Sequence, residues 1–252
     1  MKIFLAGTYS EQNHSKEVAK SLYNLESFYY IKPWQIELIK SSKMFLLDSG
    51  AFTFCNTKNF NDKNFDEYLE RYADFIKKND VQFFFELDVD SVVGYEKVVE
   101  YRKRLERLTG KQSIPVWHIA RGREEFIRHC EEYPYVALGG YVAAIKSSDP
   151  RQQMYINAYP WFIKTAHTHG AQIHGLGYTS VKGLKKHHFD SVDSTRWNCA
   201  RFGRLEYFDG ETIRPVDRRK EGKRLVSGAN KDIIRITLGE WVKFQKWAET
   251  HL

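Results

Sequence analysis

The sequence predicts an α/β fold, a (β/α)8 barrel of the TIM type, with an open doubly wound sheet as the alternative arrangement. Two observations predict the barrel. Eight short apolar runs alternate with stretches of helical period along the chain, and 252 residues is a usual length for one such barrel. A third observation predicts one domain over residues 1–252: there is no internal repeat, low-complexity tract or Pro/Gly/Ser-rich linker. Its last part, from about 205 to 252, reads as a basic C-terminal segment.

The strand candidates are Ile3–Ala6, Phe28–Ile31, Phe45–Asp48, Phe83–Asp88, Val116–Ile119, Val136–Gly140, Ile173–Leu176 and Phe189–Asp193. Several are almost wholly apolar, as strands covered on both faces should be. Between residues 62 and 78, Phe65, Tyr68, Leu69, Tyr72, Phe75 and Ile76 share one helical face; between 95 and 108, Tyr95, Val98, Val99 and Leu105 do the same. Residues 150–169 have a helical pattern that Pro160 should break or kink. Thr237-Leu-Gly-Glu240 reads as a capping box opening a last helix with Trp241, Phe244 and Ala248 on one side.

Composition excludes several classes. Apolar residues at 42% and charged residues at 28% make a globular chain, and 17 Phe, 15 Tyr and 6 Trp can build a substantial core. No apolar run approaches the ~18 residues of a membrane span, and the opening MKIFLAGTYS is too short for a secretory signal, so a soluble cytoplasmic protein is expected. Cys55, Cys130 and Cys199 are far apart and odd in number, which suits neither a disulfide framework nor a clustered zinc site. The formal net charge of +7 fits a polyanionic partner as well as a plain basic enzyme.

Polar residues collect at the strand ends. Phe45-Leu-Leu ends in Asp48-Ser49-Gly50, Phe83–Leu87 in Asp88, Val116-Trp117 in His118, Tyr135–Leu138 in Gly139-Gly140, and Ile173 leads to His174-Gly175-Leu176-Gly177. The last strand yields Asp190 and Asp193. In a parallel barrel these ends open on one face, where carboxyl groups perturb one another into acid and base roles. Singly, each aspartate also reads as a helix cap, His118 as a bonded core histidine and the glycine pairs as turns; the recurrence on successive strands is what those readings leave unexplained. Glu86, Asp88 and Asp90 alternate, so a persisting strand would give Asp88-Val-Asp90 the look of a divalent-metal motif. His167/His169 and His187/His188 lack matching cysteines and read as solvated surface.

In order along the chain, these motifs resemble those of the tRNA-guanine transglycosylase superfamily. Asp48-Ser49-Gly50-Ala51-Phe52 resembles its DSGGF stretch, Leu87-Asp88 its base-recognising aspartate, and Val116-Trp117-His118-Ile-Ala-Arg-Gly122 falls where the family has VQGG. Ala137-Leu138-Gly139-Gly140 is similar to IGGLA, His174-Gly-Leu-Gly177 with Thr179-Ser180 to MGVGTP, and Phe189-Asp190-Ser-Val-Asp193-Ser194 to GIDMFDC. Thr195-Arg196 and Arg201-Phe202-Gly203 then resemble the family's basic loop. The likeness runs from about residue 45 to 205. The zinc subdomain of the tRNA enzymes has no counterpart, and the short chain with its DSGAF and VDSTRW variants looks more like the phage and bacterial transglycosylases that place a 7-deazaguanine such as preQ0 in DNA.

The resemblance implies a base exchange through a covalent aspartyl-glycosyl intermediate, needing no cofactor or metal. It makes Asp193 the nucleophile with Asp190 as rival, and Asp48 the general acid/base or a group orienting the sugar hydroxyls. Asp88 would take the purine N1–H and amine, His118 the O6 edge, with Ser49 and the backbone of Gly139 and Gly140 completing the base site and Tyr141 or Tyr178 stacking on it. The partner it implies is DNA, single- or double-stranded, whose target nucleotide would have to leave the stack. Phosphate contacts are expected from Lys182, Lys185, Lys186, Arg196, Arg201 and Arg204 and from the run Arg214–Arg224, which has six basic and two acidic residues. Accessory proteins are left open, and a phage-encoded enzyme would work in the host cytoplasm. Rival readings are a transglycosylase acting on tRNA, a nucleoside-level deoxyribosyltransferase suggested by MKIFLAG alone, and a non-catalytic nucleic-acid-binding relative.

Overall fold

Eight parallel strands form the wall of a (β/α)8 TIM-type barrel. The computed structural model describes residues 1–50, 53, 63–139, 150–178, 181–216 and 229–252. The strands are β1 (Lys2–Ala6), β2 (Tyr23–Ser27), β3 (Met44–Asp48), β4 (Phe83–Phe84), β5 (Val116–Trp117), β6 (Tyr135–Leu138), β7 (Gln172–Gly175) and β8 (Ser191–Ser194). Their order is β4-β3-β2-β1-β8-β7-β6-β5. The two end strands meet where Ile114 N–H donates to the Phe84 carbonyl at 2.8 Å and Glu86 N–H donates to the Ile114 carbonyl at 3.0 Å. Those bonds close the ring.

Alternation of side chains along the strands divides the core in two. Phe4, Tyr23, Leu46, Phe85, Val116 and Tyr135 fill the lumen. His174 of β7 lies 5.8 Å from the ring of Phe4, 5.5 Å from Phe85 and 6.4 Å from Tyr135, contacts with β1, with the residue after β4 and with β6 that only the lumen allows. The intervening residues, such as Leu5, Phe45, Leu47, Val136 and Val192, face the helical layer. That layer comprises α1 (Ser15–Val18), α2 (Ile36–Ser41), α3 (Lys63–Lys78), α4 (Asp90–Val93), α5 (Tyr95–Thr109), α6 (Gly122–Glu132), α7 (Pro150–Thr168) and α8 (Val181–Leu184). After β8 come a 3-10 helix (Arg196–Phe202), a hairpin of β9 (Glu206–Phe208) and β10 (Ile213–Pro215), and α9 (Ala229–His251).

Several expectations are corrected. The second strand is Tyr23–Ser27, not Phe28–Ile31, whose Phe28, Tyr29 and Tyr30 form the turn after it. Its outward residues Asn24 and Glu26 are polar yet buried, so no apolar run announces it; Asn24 Nδ2 donates to Ser42 Oγ at 2.8 Å and Thr8 donates to Glu26. Pro160 does not break α7, because Tyr159, Phe162, Ile163 and Ala166 around it are buried and offset the cost of about 3 kcal/mol that an interior proline carries. Thr237 and Glu240 open no helix. They lie inside α9, where Thr237 Oγ1 and Glu240 Oε2 accept the N–H groups of Glu206 and Phe208 on β9. From the same helix, the buried Gln245 side chain donates to the carbonyls of Ile3 and Tyr23 and accepts from Leu22 N–H, tying α9 to β1 and β2.

The strand at Phe83 ends early, and Glu86, Asp88 and Asp90 therefore do not share a face. Glu86 is buried outside the wall, accepting from Val116 N–H at 2.8 Å, Arg121 Nη1 at 2.7 Å and Arg102 Nη1 at 3.3 Å. Arg121 also grips Asp90 at 2.7 and 2.9 Å and stacks on Tyr95. The cluster spans the β4–β5 seam, which the ladder itself holds with few bonds. Glu86→Leu should therefore lower unfolding free energy by about 3–5 kcal/mol in urea titration, because Arg121 and Arg102 would stay buried without their shared partner. A loss below 1 kcal/mol would show that the ladder alone holds the seam.

Candidate active site

The C-terminal ends of β3 to β8 bring Asp48, Asp88, His118, Gly139, Gly177 and Asp193 to one face of the barrel. Asp48 ends β3 and accepts the Gly50 N–H at 3.0 Å, a short turn that folds the chain back on itself. Gly50 has φ +81°, and a Cβ there would stand 2.6 Å from Tyr29 Cβ and 2.9 Å from the Tyr68 hydroxyl. That hydroxyl donates to the Ser49 carbonyl at 2.6 Å, and the Tyr72 hydroxyl donates to the carbonyls of Leu47 and Phe85, so α3 clamps the ends of β3 and β4. Burial, and after it the neighbouring Asp88, push the Asp48 carboxyl up to about 7 against the opposing Gly50 bond.

Asp88 lies across from it, with Ser49 Oγ at 3.5 Å and His118 Nε2 at 3.1 Å. Burial alone would lower the His118 pKa, but the bond to Asp88 and its charge raise it. Gly139 makes room for this pair: a Cβ on it would fall 2.3 Å from His118 Nδ1 and 2.8 Å from the Trp117 carbonyl. No other residue lets β6 run so close behind the imidazole.

Asp193 is held from β7. Its Oδ1 receives Gly177 N–H at 2.7 Å, where Gly177 turns at φ +68°, and lies 3.3 Å from His174 Nε2. With Asp193 accepting, His174 carries its proton on Nε2, which leaves Nδ1 to accept from Ser191 Oγ at 2.6 Å; Ser191 in turn bonds the Tyr135 hydroxyl. The chain Tyr135–Ser191–His174–Asp193 runs up the lumen and sets the tautomer at its top.

Other predicted residues lie elsewhere. Asp190 precedes β8 and sits at its opposite end, accepting Ile173 N–H at 2.8 Å beside His167 at 3.0 Å. Tyr178 is buried against Tyr159 and Phe189. Lys185 pairs with Glu211 at 3.0 Å and lies over Trp247, beside the end of α9 whose residues Ala248 and Glu249 bond Met1 and Tyr23 at the N-terminal ends of β1 and β2. It is remote from Asp193, and the exposed Lys186 follows it. Arg196, Arg201 and Arg204 do stand on the loop after β8: Arg196 and Arg204 approach Glu206 at 2.9 and 3.9 Å, and Arg201 pairs with Glu11 at 2.7 Å. Gly140, Tyr141, Thr179, Ser180, Ala51, Phe52, Cys55, the side chain of Lys182 and residues 217–224 of the basic run lie outside the described residues. Asp88 and Asp90 diverge to His118 and Arg121, and among the described residues no His/Cys/Asp/Glu group could hold a metal ion. Nor is any described helix long and apolar enough to cross a membrane.

Two buried polar groups were given no role from sequence. His174 was visible as the inward, alternate residue of its strand, one step before Gly-Leu-Gly. Glu26 was not: its carboxyl, buried on the outward side of β2 and pushed by burial up to about 7 despite bonds from Thr8, comes into view only with the corrected β2.

No family model and no curated protein matches the chain. Among solved structures it is similar to a candidate fructose-1,6-biphosphate aldolase from Coccidioides immitis, with a TM-score of 0.54 over 99% of this chain and 90% of that one at 9% identity. Weaker likenesses are to QR15, an aldolase, with TM-score 0.47, 13% identity and 77% and 88% of the two chains covered, and to the carboxyl transferase domain of Rhizobium etli pyruvate carboxylase, with 0.44, 14%, 98% and 48%. At 9% identity, what the chain shares with the Coccidioides protein is the TIM-like barrel fold.

Two outcomes follow from the electrostatics and the packing. Glu26 and Asp48 titrate near 7 in the fold but near 4 when unfolded, so their contribution to stability is complete below about pH 4 and is lost as pH rises through about 7. The melting temperature should fall between about pH 4 and pH 7, and Glu26→Gln should flatten that fall; an unchanged slope would exclude Glu26 as its source. Gly139→Ala should push the His118 ring off Asp88, returning the His118 pKa, read by NMR titration, toward its ordinary value near 6.5.

Proposed function

We propose that the chain is a DNA guanine transglycosylase, a base-exchange glycosyltransferase that replaces guanine in DNA with a 7-deazaguanine of the preQ0 kind. The observation that carries this reading is a pair of carboxyl groups in unlike settings at one barrel mouth. Asp193 is braced from β7 through Oδ1, and Asp48 keeps its proton up to about pH 7. A nucleophile and an acid are the two groups that glycosyl transfer with retention requires.

The bonds balance as follows. Asp193 Oδ2, which carries neither brace, attacks C1′ of the target nucleotide while the C1′–N9 bond to guanine breaks. Asp48 gives its proton to the departing base. The incoming base then attacks C1′ through N9, returns the N9 proton to Asp48 and releases the Asp193 carboxylate, so two inversions give retention. Asp88 takes the N1–H and exocyclic amine that guanine and 7-deazaguanine share, and His118, a donor when protonated, faces O6. Ser49 positions Asp88, while Gly139 offers backbone groups to the base; Gly140 and Tyr141, assigned there by the motif alone, lie outside the described residues. Arg196, Arg201 and Arg204 meet the phosphates beside the nucleophile. The order of motifs from residue 45 to 205 supports the same assignment; Asp190, bonded to Ile173 at the far end of β8, is set aside as nucleophile.

The test is incorporation of radiolabelled guanine or preQ0 into double-stranded DNA, single-stranded DNA and tRNA by the purified chain. Label in DNA that falls at least 10³-fold with Asp193→Asn is expected, on the order of what loss of a nucleophile costs. Label in tRNA alone would keep the chemistry and change the substrate, and label in none would overturn the reading. Because Asp48 must hold a proton for the first step, the exchange rate should decline as pH rises through about 7, and Asp48→Asn should remove that limb along with most of the rate. His174→Gln should lower kcat more than it raises KM, since His174 touches Asp193 and not the base.

A further inference from the structure

The turns after β1, β2 and β8 carry a strip of aromatic rings that neither the core nor the proposed chemistry uses, with Arg201 beside it. Tyr9 and Tyr30 stack with centroids 4.7 Å apart and planes within 15°, and Tyr29 meets Tyr30 edge-on at 4.9 Å. Tyr29 and Tyr30 are 43% and 36% exposed. The Arg201 guanidinium lies 5.8 Å from the Tyr9 ring, and the next residue, Phe202, is 88% exposed, the largest value among the exposed apolar side chains. These turns are neighbours, because β8, β1, β2 and β3 are consecutive in the barrel wall. The strip therefore spans the sector from Asp193 on β8 to Asp48 on β3, and Tyr29 abuts Gly50 two residues past Asp48.

A phenylalanine ring left almost wholly in water beside arginines gains from a partner that is flat, apolar on its faces and negatively charged along its edge. Single-stranded nucleic acid has that chemistry: every base offers a π face, and the phosphates match Arg201, the half-exposed Arg204 and the net charge of +7. A membrane would want aliphatic bulk and lysines around the rings, and a protein groove would want a closed apolar pocket. The exposed Tyr30 and Phe202 rings and the guanidinium beside Tyr9 instead combine aromatic surface with positive charge. We propose that Tyr9, Tyr30 and Phe202 form a stacking platform for the unpaired bases of a single strand next to the target nucleotide, with Arg201 fixing the strand's phosphates. This deepens, and rests on, the base-exchange reading: a nucleotide brought to Asp193 must leave its duplex, and its flanking bases need a surface to replace the stack they lose.

The experiment compares binding of the full chain to oligothymidylate and to an abasic deoxyribose-phosphate strand of equal length, by fluorescence anisotropy across a salt series. Oligothymidylate should bind about tenfold or more tighter, as one or two stacked bases provide. Tyr30→Leu and Phe202→Leu, which keep apolar area but lose the π face, should each erase much of that preference while leaving the salt slope unchanged; Tyr30→Trp should restore it. Equal binding of the two strands, binding of duplex only, or leucine variants with wild-type preference would each overturn the platform. So would a change in sedimentation coefficient in Phe202→Leu with strand preference intact, which would make the ring a self-association contact. Base preference without label incorporation into any nucleic acid would sink the exchange reading and leave the platform standing; incorporation without base preference would do the reverse.

Discussion

The barrel depends on a buried glutamate at its weakest joint. β4 and β5 are two-residue strands, and a ladder so short leaves the seam between them with few backbone bonds. Glu86 adds to it on both sides, donating its own N–H to Ile114 and taking Val116 N–H on its side chain, while Arg102 and Arg121 supply the charge that makes a carboxylate tolerable there. Burial raises the Glu86 pKa even so, against the pull of both arginines. Asp88 and His118 stand on the two sides of this same seam, so their 3.1 Å separation is fixed below by the ion cluster and behind by the missing side chain of Gly139.

Above an apolar lumen, polar groups cannot be left to solvent, and each carboxyl at the mouth is treated differently. Asp48 is buried without a cationic partner among the described residues and stays protonated toward neutrality, as does Glu26 on the outward side of β2. Asp193 receives the Gly177 N–H from the neighbouring strand end and meets a histidine whose other ring nitrogen is bonded to a hydroxyl pair deeper in the barrel. One scaffold thus holds two carboxyl groups in unlike settings within the same opening, the difference on which the proposed roles of donor and nucleophile rest.

The mouth is also lopsided. From β4 to β6 it is built of close-packed polar contacts suited to the edge of a base, whereas from β8 through β1 to β2 it carries open rings and guanidinium groups suited to bases in a row. On the proposed reading the first sector would take the reacting base and the second the strand around it, with Asp193 and Asp48 where the sectors meet.

Much of this was legible in the sequence, for a physical reason. Strands covered on both faces must be apolar, and parallel strands send their ends to one face, so the barrel and the gathering of Asp48, Asp88, His118, Gly139 and Asp193 could be read from local pattern alone. What tertiary structure decided were the groups whose partners are distant in the chain. β2 was hidden because Asn24 and Glu26 are buried polar residues, acceptable only beside Ser42 and Thr8. Thr237 and Glu240 looked like a helix start because their real partners, on β9, lie about thirty residues away. Asp190 and Asp193 differ by three residues, and only strand register sends one to each end of the barrel. Local sequence fixes which residues must be buried or must turn; which buried polar atom meets which is set by closure of the ring, and no window of sequence contains that information.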